Sequence, residues 1–206
     1  DLRHDAPKVF THEFEINANP GLTPASPEGP LALPGVYTLR LTVEGARYEQ
    51  KATVRNDPRS PATPAALEAQ HALLMRLNEA IGAAWEMQRR ADALRAAVEA
   101  AASGAPSDVT TAAATLKTAL DLPFSNLSRR FVGQLTGQDK GDHAPTAPML
   151  AAFSAACRDL TNTQTQWSRA IDSGLAAFNA VLARHRRKSV APVTAVPAAC
   201  ATDPQP

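Results

Sequence analysis

Glu13 and Glu15 stand two residues apart in the segment KVFTHEFEINA. In an extended strand, positions i and i+2 share a face, so two carboxylates at this spacing stand side by side, as a glycosidase or a Ca²⁺ site requires. The same spacing is commoner on a solvated strand edge, which is the simpler account. The loop GQDKGD, residues 137–142, holds two Asp and two Gly. It lacks the alternate-oxygen spacing and terminal Glu of an EF-hand loop and reads as a helix connector. The histidines His4, His12, His71, His143 and His185 are dispersed, a pattern of surface and supporting residues rather than of catalysts. No phosphate loop, dinucleotide glycine pattern, nucleophile elbow or helical pair of metal-binding histidines is written in the chain. The expectation is a protein that is not an enzyme, with no catalytic, cofactor-binding or metal-ligating residue.

Two cysteines remain. Cys157 falls in an expected helix and Cys200 in the tail. One disulfide between them would staple the tail to the helices and imply an oxidising compartment; two free thiols are the alternative. Neither has a His or a second Cys at ligand spacing, which argues against zinc. Trp85 and Trp167 occupy helix positions suited to packing rather than to carbohydrate stacking. Asn126, Leu127 and Ser128 spell a glycosylation sequon by letter.

Charge nominates no partner. Lys plus Arg number 21 against 20 Asp plus Glu, for a net charge of +1 and a pI near 8.0, so no basic field is available for nucleic acid or an anionic membrane. The cluster RHRRK, residues 184–188, stands where a helix ends and complements the negative end of its dipole. No apolar run approaches the roughly 20 residues of a membrane span, and no basic-then-apolar leader is present. The chain starts at Asp1 without an initiator Met, as a processed protein, an engineered polypeptide or a piece of a longer one would.

The elements that must carry these residues divide near Pro61. Residues 1–60 read as β, residues 61–188 as a helical bundle, and residues 189–206 as a Pro/Ala-rich tail. In the β part, Phe10, His12, Phe14 and Ile16 alternate with Val9, Thr11, Glu13 and Glu15, followed by a Pro/Gly-rich loop. Pro34 and Gly35 suit a type II turn. Tyr37, Leu39, Leu41 and Val43 then alternate with polar residues, a tight reversal follows at Glu44 to Ala46, and Tyr48, Gln50, Ala52 and Val54 continue the alternation. A hairpin with one apolar face needs a second layer: strands upstream, or the helices downstream. Helices are expected over residues 65–102, 109–120, 127–135 and 147–187, with Ser107 or Asp108 as an N-cap and Pro123 as a break. The two long ones are expected to lie antiparallel with the short ones on the third side. The fold class is therefore α+β, an antiparallel immunoglobulin-like β-sandwich, incomplete on its own, followed by an antiparallel three-helix bundle.

The stretches DLRHD, GPLALPGVYTLRLTVEG, VRNDPR and VGQLTGQDKGDHAPT resemble the C-terminal region of bacterial sortilin-like β-propeller proteins, often described as glycosyl-hydrolase-like from their Asp-box repeats. The resemblance covers roughly residues 1–187 and is best marked at the Pro-Gly-x-Tyr-Thr hairpin that ends in Asp57, Pro58 and Arg59. It implies an immunoglobulin-like module after a propeller, a helical segment behind it, and an extracytoplasmic bacterial location. Any active site would lie in the propeller, whose Ser-x-Asp-x-Gly-x-x-Trp repeat does not occur in these residues, so no catalytic residue carries over. The expected function is a non-catalytic accessory or assembly module. Its expected partners are the upstream propeller or another subunit, with homo-oligomerisation through the helices. A stand-alone module binding glycan or protein through Tyr37 and Tyr48 is the alternative, and a hydrolase using Glu13 and Glu15 a distant third.

Overall fold

The structure, a computed structural model, describes residues 2–10, 13–14 (backbone only), 25–193 and 200. Its elements are β1 (Glu13–Phe14), β2 (Ala25–Ser26), β3 (Gly35–Val43), β4 (Ala46–Val54), α1 (Pro64–Ala102), α2 (Ser107–Ala119), α3 (Phe124–Gln138), α4 (Ala147–Arg169), a π-helical segment (Ala170–Leu175) and α5 (Ala176–Arg184). The chain is α+β.

α1 begins where Thr63 accepts a hydrogen bond from the Ala66 amide and Pro64 opens the first turn, a position where a missing N–H costs nothing. It stops at Ser103, followed by Gly104 at φ +61°. α2 starts earlier than its expected caps, with Pro106 before it and Asp108 inside its first turn. α3 also begins ahead of the expected residue 127, directly after Pro123.

The helices run up, down and up. Gln70 Nε2 donates to the carbonyls of Gln138 (2.8 Å) and Gly141 (2.7 Å), which sets the end of α3 beside the start of α1. At the far end, Arg187 Nη2 donates to the Ser103 carbonyl at 2.8 Å, which sets the end of α5 beside the end of α1. The two long helices are thus parallel, not antiparallel as expected. The break at Pro123 interrupts the return path without reversing it, so α2 and α3 together form the descending helix.

Leu74, Leu77, Ile81, Ala84, Ala91 and Val98 of α1 face this core, with Phe124 and Phe131 of α3 and Phe153, Trp167 and Phe178 of the last helix. The rings of Phe131 and Phe153 meet edge-on, 6.2 Å between centroids. Each of the larger aliphatic and phenylalanine side chains contributes about 1.5–3 kcal/mol by leaving water. Buried positions on the last helix step by three or four residues up to Ala170, then by five to Leu175, then again by three and four to Phe178 and Leu182. The π turn absorbs the odd step and keeps one stripe on the core. Gly174 lies in that turn, and a Cβ there would stand 3.0 Å from Leu116 Cδ1 of α2, close enough that Leu116 would have to give by a few tenths of an ångström.

β1 pairs antiparallel with β2 and β3 with β4, as two separate two-stranded sheets. The expected first strand is seen only at Glu13–Phe14; His12, Glu15 and Ile16 lie outside the described residues. Gly35 is not at the centre of a type II turn. That turn requires a positive φ at its second central residue, whereas Gly35 is extended and opens β3. Among the described residues, no second layer covers the hairpin.

Residues 2–10 lie against the bundle. His4 N donates to Pro30 O (2.9 Å) and Ala32 N to Leu2 O (2.8 Å) around the Arg3–Leu31 bridge. Gly29 makes this approach: a Cβ there would fall 1.8 Å from the His4 carbonyl oxygen. At the other end, Asn179 clamps Val190 through both its amide groups, 2.9 Å each, and the sulfur of Cys200 is bonded to that of Cys157 across 43 residues of sequence.

Candidate interaction surface

The hairpin turns on Glu44 (φ 49°) and Gly45 (φ 84°). Two left-handed central residues define the two-residue turn whose twist matches that of its strands, and it fixes Val43 opposite Ala46, Leu41 opposite Tyr48, Leu39 opposite Gln50 and Tyr37 opposite Ala52. Because side chains alternate, these pairs occupy one face. The other face carries Thr38 opposite Lys51, Arg40 opposite Glu49 and Thr42 opposite Arg47, with Arg40 Nε 2.7 Å from Glu49 Oε1.

The apolar face is bare. Leu41 is 61% exposed, Tyr48 60% and Leu39 57%, while Trp167 in the bundle is 1% exposed. Tyr37 is tied down, its hydroxyl donating to the Leu33 carbonyl at 2.6 Å; Tyr48 stands free on the same face. Leu39 follows Tyr37 along β3 and Leu41 stands opposite Tyr48, so the face is a continuous aromatic and aliphatic strip. Soluble monomers rarely expose such a strip, and its usual meaning is a contact surface.

At the base of the hairpin, a cleft of about 240 Å³ opens towards α1 and the loop after α3, lined in part by Leu31, Val54, Leu67, His71, Asp139 and Asp142. Arg3 spans its neighbourhood: Nη1 donates to Asp139 Oδ2 (2.6 Å) and to Gly29 O (2.8 Å), and Nε lies 3.3 Å from Glu28. His4 and His71 share a hydrogen bond between their Nε2 atoms, 3.0 Å apart. One ring must donate and the other accept, so the bond requires at least one neutral ring. Burial, and next the charge of His4, hold His71 below the ordinary histidine value of 6.5. Two charged clusters elsewhere are spent on themselves. The Asp57 carboxylate is lowered by the hydrogen bond from Arg59, which grips it through Nε and Nη2 across the exposed turn. Asp108 is lowered by its 2.8 Å contact with His185.

His4 and His71 meet, joining residue 4 to α1. His185 pairs with Asp108, and Arg187 of the basic cluster caps α1. His143 makes a local contact with the Ala144 carbonyl. Asp139 of the GQDKGD connector holds Arg3. Trp167 is core, whereas Trp85 lies under the N-terminal segment, with Phe10 6.5 Å away between ring centroids and Lys8 and Arg89 over its ring at 5.7 and 5.0 Å. Asn126 and Ser128 sit inside α3, and Ser128 is buried. The side chains of Glu13 and Glu15 are outside the described residues. Among the described residues, no group of three or more His, Cys, Asp or Glu is placed to hold a metal ion, and no helix is long and apolar enough to cross a membrane. The Arg3–Asp139 and His4–His71 contacts join residues far apart in sequence, and no local pattern announces them.

No known protein family, curated protein or solved structure matches this chain.

Proposed function

We propose that this chain is a non-catalytic accessory and assembly module, the C-terminal part of a secreted bacterial sortilin-like β-propeller protein. The hairpin is the end of an immunoglobulin-like sandwich whose other strands come from upstream in the parent chain or from another subunit. The observation that carries this reading is the bare apolar face of β3 and β4 beside a helical bundle that has closed its own core. A strand pair with a period-two apolar face is half of a layer, and a sandwich of about seven strands would supply the rest. The disulfide between Cys157 and Cys200 fits an oxidising, extracytoplasmic setting. The test is the intact mass and N-terminal sequence of the polypeptide as its native host makes it. A chain far larger than 21.8 kDa that contains these residues at its C-terminus is the expected result. A product near 21.8 kDa that starts at Asp1 overturns it.

The second reading, a stand-alone module that binds glycan or protein, is favoured by Tyr37 and Tyr48 sharing the exposed face. Tight binding by the 206-residue chain, lost in Tyr48→Ala, would select it.

A further inference from the structure

β4 has a second edge. The sheet order is β3–β4, and among the described residues no strand pairs with the far side of β4. In a two-residue hairpin the residues flanking the turn, Val43 and Ala46, form a hydrogen-bonded pair, and the pairs alternate from there. The peptide groups of Arg47, Glu49, Lys51 and Thr53 therefore point away from β3, ready to pair with another strand.

We propose that two copies of this chain pair antiparallel along β4 about a two-fold axis through Gln50, making one four-stranded sheet. Gln50 is the middle residue of Ala46–Val54, so this register alone pairs all nine residues of the strand. It places Glu49 opposite Lys51 of the second copy, and Lys51 opposite that copy's Glu49. The outward-pointing peptide groups then fall opposite one another, as an antiparallel ladder requires. Arg40 already bridges to Glu49 at 2.7 Å, so each new pair lengthens a row of alternating charge across the sheet.

The neighbouring axes are disfavoured by charge. An axis at Glu49 sets Glu49 against itself and Arg47 against Lys51; an axis at Lys51 sets Lys51 against itself and Arg47 against Arg55. Axes at Tyr48 or Ala52 leave much of the strand unpaired. The β3 edge, paired with itself at Leu39, sets Arg40 against Thr38 and gains no opposite charges. On the helices, Leu150 is the one large apolar side chain that is well exposed among the described residues, so the sheet, not the helical faces, offers a self-complementary surface. Edge and face are different surfaces, and the pairing stands whatever covers the apolar face.

A single edge is small beside a standard interface of about 1,600 Å², so the dimer is expected at micromolar concentrations. Sedimentation of the whole chain, disulfide intact, across a micromolar series should show a species of twice the 21.8 kDa protomer mass. Glu49→Lys and Lys51→Glu each set like charges opposite in both symmetric pairs, and each should raise the dissociation constant about tenfold or more. An equimolar mixture of the two variants restores every opposite-charge pair, so it should recover the original affinity as a heterodimer. That recovery also requires both hairpins to be folded. Lys51→Pro removes one outward N–H and leaves the β3–β4 ladder intact, so it should abolish the dimer too. A monomer throughout the series, single variants that dimerise unchanged, or a mixture that fails to recover would each overturn the proposal.

Discussion

The hairpin and the bundle are written in the same kind of code and end in opposite conditions. In the bundle, the three-four apolar stripes of α1, α3 and the last helix meet one another, and Trp167, Phe131 and Leu77 are sealed. In the hairpin, Tyr37, Leu39, Leu41 and Tyr48 obey the period-two pattern just as strictly, but their face meets solvent. An amphipathic pattern thus states that a face is to be covered without stating what covers it. Three helices suffice to close on each other; two strands do not.

That contrast can be broken by mutation. Trp167→Ala removes a large side chain from a closed core and should destabilise the protein by about 3–5 kcal/mol. Leu41→Ser, on the bare face, should change stability by no more than about 0.5 kcal/mol and improve solubility. Equal losses in urea denaturation would mean that the hairpin is as well packed as the bundle. Gly29→Ala tests the seam between the two regions. Its methyl group would overlap the His4 carbonyl, and a cost of about 1–3 kcal/mol is expected as residues 2–10 shift away. Faster hydrogen exchange at the amides of His4 and Ala32, with α1 unchanged, would locate the damage.

The smallest effect concerns pH. Burial and His4 lower the value of His71 in the folded state, so below its ordinary value of about 6.5 the unfolded chain takes up a proton that the folded chain resists. The contribution is complete above that value and is lost as pH falls from there towards the lowered folded value. The urea midpoint should therefore drop between neutral and mildly acidic pH, and His71→Phe should flatten that drop. A midpoint that rises on acidification would contradict the arrangement.

The helices were legible because their signals are local. The three-four apolar spacing places the two long helices, and the Glu44–Gly45 reversal marks the hairpin with equal clarity; the caps Thr63 and Thr146 stand where that spacing begins but are not read from it. Helix direction was not legible. Whether the chain reverses at Pro123 depends on tertiary contacts such as Gln70 with Gln138, sixty-eight residues apart. The candidate surface was half legible: the sequence names Tyr37 and Tyr48 as sharing a face, but burial belongs to the whole assembly of layers. The π turn had only the five-residue step from Ala170 to Leu175 to announce it, and Ile171 fills that gap closely enough to pass for an ordinary turn.

The bond between Cys157 and Cys200 has a mechanical consequence. A pull on the chain beyond Cys200 does not peel α5 from its end. It enters the bundle at Cys157, in the middle of α4, and the intervening turns bear no load until that helix itself gives way. Reduction would move the point of attack to residue 190 and the Asn179 clamp, where two hydrogen bonds replace a covalent link. The force needed to pull residue 200 away from the bundle would therefore depend on the redox state of its surroundings.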